Sequence, residues 1–192
     1  MNKNLLIFIA VVALVVIVIA ALFLSKPSYT PLQERGNVKG TGTVEIIEFS
    51  DFQCPACGAA YEEVKKLMEQ KGDKIRFTYK HFPLTSHPYA YKAAEASECA
   101  ADQGKFWEYH DKLFDNQRSI TKENLIKFAE SLGLDSDSFK KCLESGAMSS
   151  RVEADMSEGF GKIVGATPTF FINGKKFEGA LTAEKMAQEA GV

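Results

Sequence analysis

The chain has 192 residues, 45 % hydrophobic and 25 % charged, enough for one well-buried domain and a short appendage. Its 23 basic and 25 acidic residues are scattered and give a formal net charge of -2. That pattern excludes both the basic stripe of a nucleic-acid binder and an acidic tail, so no nucleic-acid partner is expected.

In chain order, Leu5 to Leu24 is an unbroken apolar run of 20 residues without charge, Gly or Pro. It is long enough to cross a hydrocarbon core as a helix. A secretory signal peptide has a shorter apolar region closed by a small-residue cleavage site, and only Ala20-Ala21 offers one, with Leu-Phe-Leu still to follow. An uncleaved signal anchor over residues 1–25 is therefore expected in preference to a cleaved signal. Lys3 on one flank and Lys26, Arg35 and Lys39 on the other leave its orientation open by charge alone. Residues 26–42 are rich in Pro and Gly, show no apolar period and read as a tether.

A domain is expected over 43–192. "VEIIEF" from Val44 to Phe49 reads as a central strand. From Ala56 the period turns helical, with Ala60, Tyr61, Val64, Leu67 and Met68 on one side and Glu62, Glu63, Lys65 and Lys66 on the other. After Gly72, "IRFTYKHF" from Ile75 to Phe82 alternates as a second strand and stops at Pro83. About 88–164 reads as wholly helical, in segments 89–103, 105–116, 121–132, 136–144 and 149–163. Thr121 and Asp135 are placed to cap two of these, and Gly133 and Gly146 to end two. "TFFI", Asn173-Gly174 and Lys175 to Glu178 then predict a hairpin, because Asn-Gly accepts the positive φ angles of a tight turn. A helix from Thr182 to Ala190 closes the chain.

Cys54 and Cys57 stand where the first strand passes into the first helix. The thiolate is the attacking species in disulfide exchange, and a helix N-terminus, with its unpaired N–H groups and dipole, favours negative charge there. Pro55 suits the first helical position, having no N–H to waste. Cys57, three residues on, shares the face, so Cys54 is expected to be the exposed nucleophile and Cys57 the deeper, resolving thiol. A zinc half-site would need a second Cys pair or a His pair at ligand spacing, and Cys99, Cys142 and the three His do not provide one, so no metal is expected. A structural staple remains the other alternative for the pair.

Cys99 and Cys142 fall on two helices of the insertion. Two buried thiols are the bland reading, but in an oxidising compartment a Cys99–Cys142 structural disulfide is expected instead, since both lie in one helical block with no other partner free. The stripe of Phe106, Tyr109, Leu113 and Phe114 is expected in the core. His81 and His87 are read as surface or capping residues.

"EFSDFQCPAC", "KHFPL", "ASECAADQGKFWEYHDKLF" and "GATPTFFINGKKFEGA", in that order, resemble the DsbA-like branch of the thioredoxin superfamily. The resemblance runs from about Gly42 to the C-terminus. It implies an α/β thioredoxin-like fold with a helical insertion and a Cys54-Cys57 redox pair. It further implies that Thr167-Pro168 is the cis-proline loop facing that pair and holding an extended substrate, and that Glu48 is a buried acid beneath the site. Such a carboxylate could relay the proton of Cys57; otherwise Glu48 is a solvent-facing strand residue. No cofactor is implied.

The expected function is extracytoplasmic disulfide formation or exchange in cysteine-containing secreted or envelope proteins, from a single-pass anchor in the cell membrane. A quinone-coupled membrane partner of the DsbB or VKOR kind would restore the oxidised pair, as the resemblance implies. The dipeptide between the cysteines is Pro-Ala, with no His beside Cys54, which predicts a less acidic thiol and keeps a reductase or isomerase as the near alternative. A peptide-binding chaperone without catalysis is the distant one.

Overall fold

A computed structural model of the chain describes residues 35–192. The expected anchor over 1–25 and most of the expected tether lie outside the described residues. Among the described residues no helix is long and apolar enough to cross a membrane.

The elements run β1 (Val38–Lys39), β2 (Val44–Ser50), α1 (Pro55–Lys71), β3 (Ile75–His81), α2 (Ala90–Ala101), α3 (Phe106–Asp115), α4 (Lys122–Ser131), α5 (Ser136–Ser145), α6 (Ser149–Gly161), β4 (Thr169–Ile172), β5 (Lys175–Glu178) and α7 (Ala183–Ala190). The sheet order is β1-β3-β2-β4-β5. β2 and β3 pair in parallel, as a strand–helix–strand crossover through α1 requires, and β1, β4 and β5 join antiparallel. β2 lies between β3 and β4, and its C-terminal half from Ile46 to Ser50 is buried apart from the half-buried Ile47, so that Glu48 and Ser50 are carried into the interior.

Alternation along β2 sets the two cores. Ile46, with Phe77 and Tyr79 of β3, packs under Cys57, Ala60, Tyr61, Val64 and Leu67 of α1. Phe49 turns the other way, onto Phe82 and Val164. Glu48 and Ser50, at even spacing from Ile46, consequently face α1. Leu67, at 1 % exposure, contributes roughly 1.5–3 kcal/mol by burial, and truncating it to Ala costs about 2–5 kcal/mol once the cavity is counted.

The helical insertion forms as expected from its caps. Thr121 accepts from the Asn124 N–H at 3.3 Å, Asp135 accepts from the Ser138 N–H at 2.7 Å, and Gly146 takes φ 67° to close α5. A disulfide joins Cys99 of α2 to Cys142 of α5. In the hairpin, Asn173 and Gly174 take φ 47° and 82°. α6 ends earlier than its period suggested, because Ile163 adopts φ 58°, which no pattern of apolar residues announces.

The tether expected over 26–42 is corrected at its C-terminal end. Val38 and Lys39 pair with Thr78 and Phe77, and Asn37 Nδ2 donates to the Tyr79 carbonyl at 2.8 Å. A two-residue edge strand is too short to show a period, and buried polar residues beside it mimic a linker composition. Arg35 is also buried. Its guanidinium donates to Glu98 at 2.6 Å and to Asp155 at 2.9 and 3.0 Å, in a cluster that includes Lys80 and His81.

Candidate active site

Cys54 is the N-cap of α1, with φ -74° and ψ 121°, and Pro55 follows in the first turn. The N–H groups of Cys57 and Gly58 donate to the Cys54 carbonyl at 3.0 and 3.1 Å. Neither thiol is bridged. Across from the helix, the Thr167-Pro168 bond is cis, and the Thr167 carbonyl accepts from Cys54 Sγ at 3.3 Å. The expected pair of a cysteine helix and a proline loop is thus assembled from positions 113 residues apart.

Two expectations need correction or refinement. Cys54 is not an open nucleophile: it is only 7 % exposed, because the Thr167 loop closes over it, while Cys57 is wholly buried. Glu48 does not face solvent. Central placement in the sheet leaves it 3 % exposed, between Tyr79 of β3 and Phe170 of β4.

The electrostatics separate the two thiols. A hydrogen bond from the Cys57 thiol leads in lowering Cys54 to about 5, aided by the Thr167 side chain and the N–H groups of Cys57 and Ala56 and opposed by burial. Burial pushes Cys57 far up, with the Cys54 hydrogen bond and the Glu48 charge acting the same way. Glu48 is pushed up to about 7, chiefly by burial, against the influence of Ser50. One thiol is therefore ready as a thiolate near neutrality while the other holds its proton beside a carboxyl able to take it.

Several positioning groups carried no sequence signal of their own. Asp51 accepts from the N–H groups of Gln53 at 2.7 Å and Leu84 at 2.8 Å, and its Oδ2 lies 2.7 Å from His87 Nδ1. His87 therefore ties the Leu84–His87 loop to the segment before Cys54, whereas His81 lies away from the thiols, buried against Glu98 at 3.1 Å. Gln117 Nε2 donates to the carbonyls of Phe52 at 2.9 Å and Cys54 at 2.8 Å. A Cβ on Gly58 would come within 2.7 Å of Gln117 Oε1, so glycine there admits that clasp. A cleft of about 710 Å³ beside Pro55 and Gly58 is walled on the other side by Asp115 to Ser119. Phe106, Tyr109, Leu113 and Phe114 are buried, as their helical spacing predicts.

His81, Glu98 and Asp155 present ligand-type atoms within 4.8 Å of one another. Their carboxylates already hold Arg35 and Lys80, whose guanidinium and ammonium supply the counter-charge a cation would bring.

A depressed thiol at a helix N-terminus, a buried partner thiol and a facing cis-proline loop make a paired-thiol site on a thioredoxin-like fold. The thioredoxin family profile matches residues 36–189, and the chain belongs to that family. Among solved structures, oxidised BdbD from Bacillus subtilis superposes with a TM-score of 0.70 at 25 % identity, covering 82 % of this chain and 95 % of that one. The thiol-disulfide exchange protein alpha-DsbA2 from Wolbachia pipientis shares the fold with a TM-score of 0.72 at 20 % identity, covering 80 % of this chain and 84 % of that one. By sequence, the protein named Na(+)/H(+) antiporter NhaA 3 of Salinispora tropica is 38 % identical over 157 residues, 80 % of this chain and 24 % of that protein. The antiporter of Herminiimonas arsenicoxydans is 38 % identical over 138 residues, 72 % of this chain and 22 % of that protein. The chain spans about a quarter of the length of these curated relatives.

Proposed function

We propose that this protein forms or exchanges disulfide bonds in cysteine-containing secreted or envelope proteins, from a single-pass membrane anchor at residues 1–25 with its domain outside the cytoplasm. The observation that carries the reading is Cys54 Sγ set at a helix N-terminus against the Thr167 carbonyl, with Cys57 protonated beneath it. In the oxidised pair, a substrate thiolate attacks Cys54 Sγ, the Cys54–Cys57 bond breaks, and Cys57 takes the electron pair and then a proton. A second substrate thiolate attacks the mixed disulfide, and Cys54 departs as the thiolate its surroundings favour. The extended substrate lies along the Thr167-Pro168 loop, and a quinone-coupled membrane protein of the DsbB or VKOR kind restores the disulfide.

The Cys99–Cys142 disulfide supports an oxidising compartment, where such bonds persist. The ion exchange named for the long relatives belongs to proteins about four times the matched length. The matched part of this chain supports thiol chemistry. The moderate acidity of Cys54 favours a second reading in the same class, reductase or isomerase, more than it favours a chaperone without catalysis. The test is oxidative refolding of a reduced, disulfide-containing substrate by the full chain in detergent. Faster recovery that is lost in Cys54→Ala is expected; parent and variant both matching uncatalysed oxidation would reject the oxidase reading.

A further inference from the structure

Beneath Cys57 the sheet presents three buried oxygen groups that redox exchange by the two thiols alone does not use. Glu48 and Ser50 project from β2 on the α1 side, and Tyr79 is the β3 residue directly in register with Glu48. Glu48, Ser50 and Tyr79 are 3 %, 1 % and 0 % exposed. Glu48 Oε1, Ser50 Oγ and Tyr79 Oη each have no hydrogen-bond partner among the described residues. An unpaired buried hydroxyl or carboxyl costs about 1–3 kcal/mol, so three together in one place mark a site kept for something other than stability.

Ser50 is the common neighbour. Its hydroxyl stands on the Glu48 face of β2 beneath Cys57, buried and without a hydrogen-bond partner among the described residues, and it favours the ionised form of Glu48, Cys57 and Tyr79. The site is also closed to bulk proton acceptors, since Cys57 is fully buried and its Sγ takes only the Asp51 N–H, at 3.4 Å. A proton leaving Cys57 must therefore pass through protein groups. The titratable groups facing Glu48 are Cys54 at the N-cap of α1, Cys57 from α1 and Tyr79 from β3, with the Asp51 charge acting on Tyr79; β4 presents Phe170, which does not titrate.

We propose that Ser50 is a positioning residue whose hydroxyl bridges Cys57 Sγ and the Glu48 carboxylate as a two-proton relay, with the Tyr79 hydroxyl steadying the carboxylate from the other side. The inference deepens the redox reading above and rests on it. In resolution of a mixed disulfide, the Cys57 proton passes to Ser50 Oγ as the Ser50 hydroxyl proton passes to Glu48. The Cys57 thiolate then attacks Cys54 Sγ, the Cys54–substrate bond breaks, and the substrate leaves as a thiolate. In the oxidising direction the same protons run back, from Glu48 through Ser50 to the departing Cys57. A rotating hydroxyl is suited to both directions because it donates and accepts at once.

The test uses the full chain in detergent, loaded at Cys54 with a cysteine peptide as a mixed disulfide, and follows its release by Cys57 from about pH 5 to about pH 9. Ser50→Ala is expected to slow release by about 10-fold or more near neutrality and to displace the Glu48 limb of the pH profile. The Cys54 thiolate titration stays in place, and Ser50→Thr, which keeps the hydroxyl, restores the rate. Release by Ser50→Ala at the parent's rate across the pH range would overturn the relay. If Ser50→Ala fails to fold, a proton inventory of the parent in mixed light and heavy water decides: a bowed dependence supports two moving protons, and a linear one overturns them. No release by Cys57 in the parent at any pH would instead remove the redox reading itself.

Discussion

Arg35 and Asp155, 120 positions apart, meet through two hydrogen bonds of 2.9 and 3.0 Å in the buried part of the domain, and the same guanidinium reaches Glu98 at 2.6 Å. Removing the guanidinium strips three hydrogen bonds from two buried carboxylates and leaves only the side chains of Lys80 on Asp155 and of Arg151 and His81 on Glu98. Arg35→Ala is expected to cost about 3–5 kcal/mol, read from the denaturant midpoint. The acid side of the stability curve follows from Glu98. Burial pushes its carboxyl up, but His81 and Arg35 outweigh that and hold it at about 2, below its ordinary 4.5. Its contribution is whole above about pH 4.5 and is lost as the pH falls through about 2. Denaturant titrations across that window should show the parent losing stability on acidification while Arg35→Ala loses less.

The Cys54 thiol is expected to titrate with a midpoint at about 5, followed by thiolate ultraviolet absorbance, with Cys54→Ser abolishing the transition. A thiol depressed on folding stabilises the reduced protein fully above its unfolded value of 9.0, and that gain disappears as the pH falls through about 5. The melting temperature of the reduced form should therefore rise relative to the oxidised form as the pH is raised from about 5. A difference independent of pH would contradict the assigned cause.

The same acidity sets the redox poise. A midpoint at about 5 lies between roughly 7 for thioredoxin and roughly 3.5 for DsbA, and the potential is expected between their values of about -270 and about -120 mV. Equilibration of the Cys54–Cys57 couple against glutathione measures it. A value at the thioredoxin end would assign a reductase.

The Cys99–Cys142 bond spans 43 positions, and closing a loop of that size is worth about 4 kcal/mol in the chain-entropy account. Replacing both cysteines with Ala should lower the unfolding free energy by about that amount. Exchange at Cys54 should change by less than about 2-fold, because neither sulfur touches the site.

The local signals were the readable ones. The change from strand to helical period placed Cys54 at a helix start, Asn173-Gly174 announced its hairpin, and Thr121 and Asp135 marked their helices. Each depends on a few adjacent residues. The proline loop was legible only through resemblance, since nothing local tells a cis bond from an ordinary strand start. Arg35, Asp155 and Glu98 form their cluster from three distant segments, and a lone Arg in a Pro- and Gly-rich stretch looks like a solvated linker residue. His81, expected at the surface or as a cap, ends a strand that is buried there. Asp51 sits in plain view between strand and cysteine, but its partners, Leu84 and His87, come from the loop after the next strand, and Ser50 gains its surroundings only when β3 pairs beside it.

Gln117 has a consequence for motion. Its side-chain amide is the clasp between the helical insertion and the carbonyls of Phe52 and Cys54, at the point where α1 begins. Swinging the insertion outward would take the side-chain donor from the Phe52 carbonyl and one of three donors from the Cys54 carbonyl, loosening the helix end that favours the Cys54 thiolate. A partner that pried open the cleft beside Pro55 would therefore be expected to make Cys54 a poorer leaving group, read as a rise in its thiolate titration midpoint.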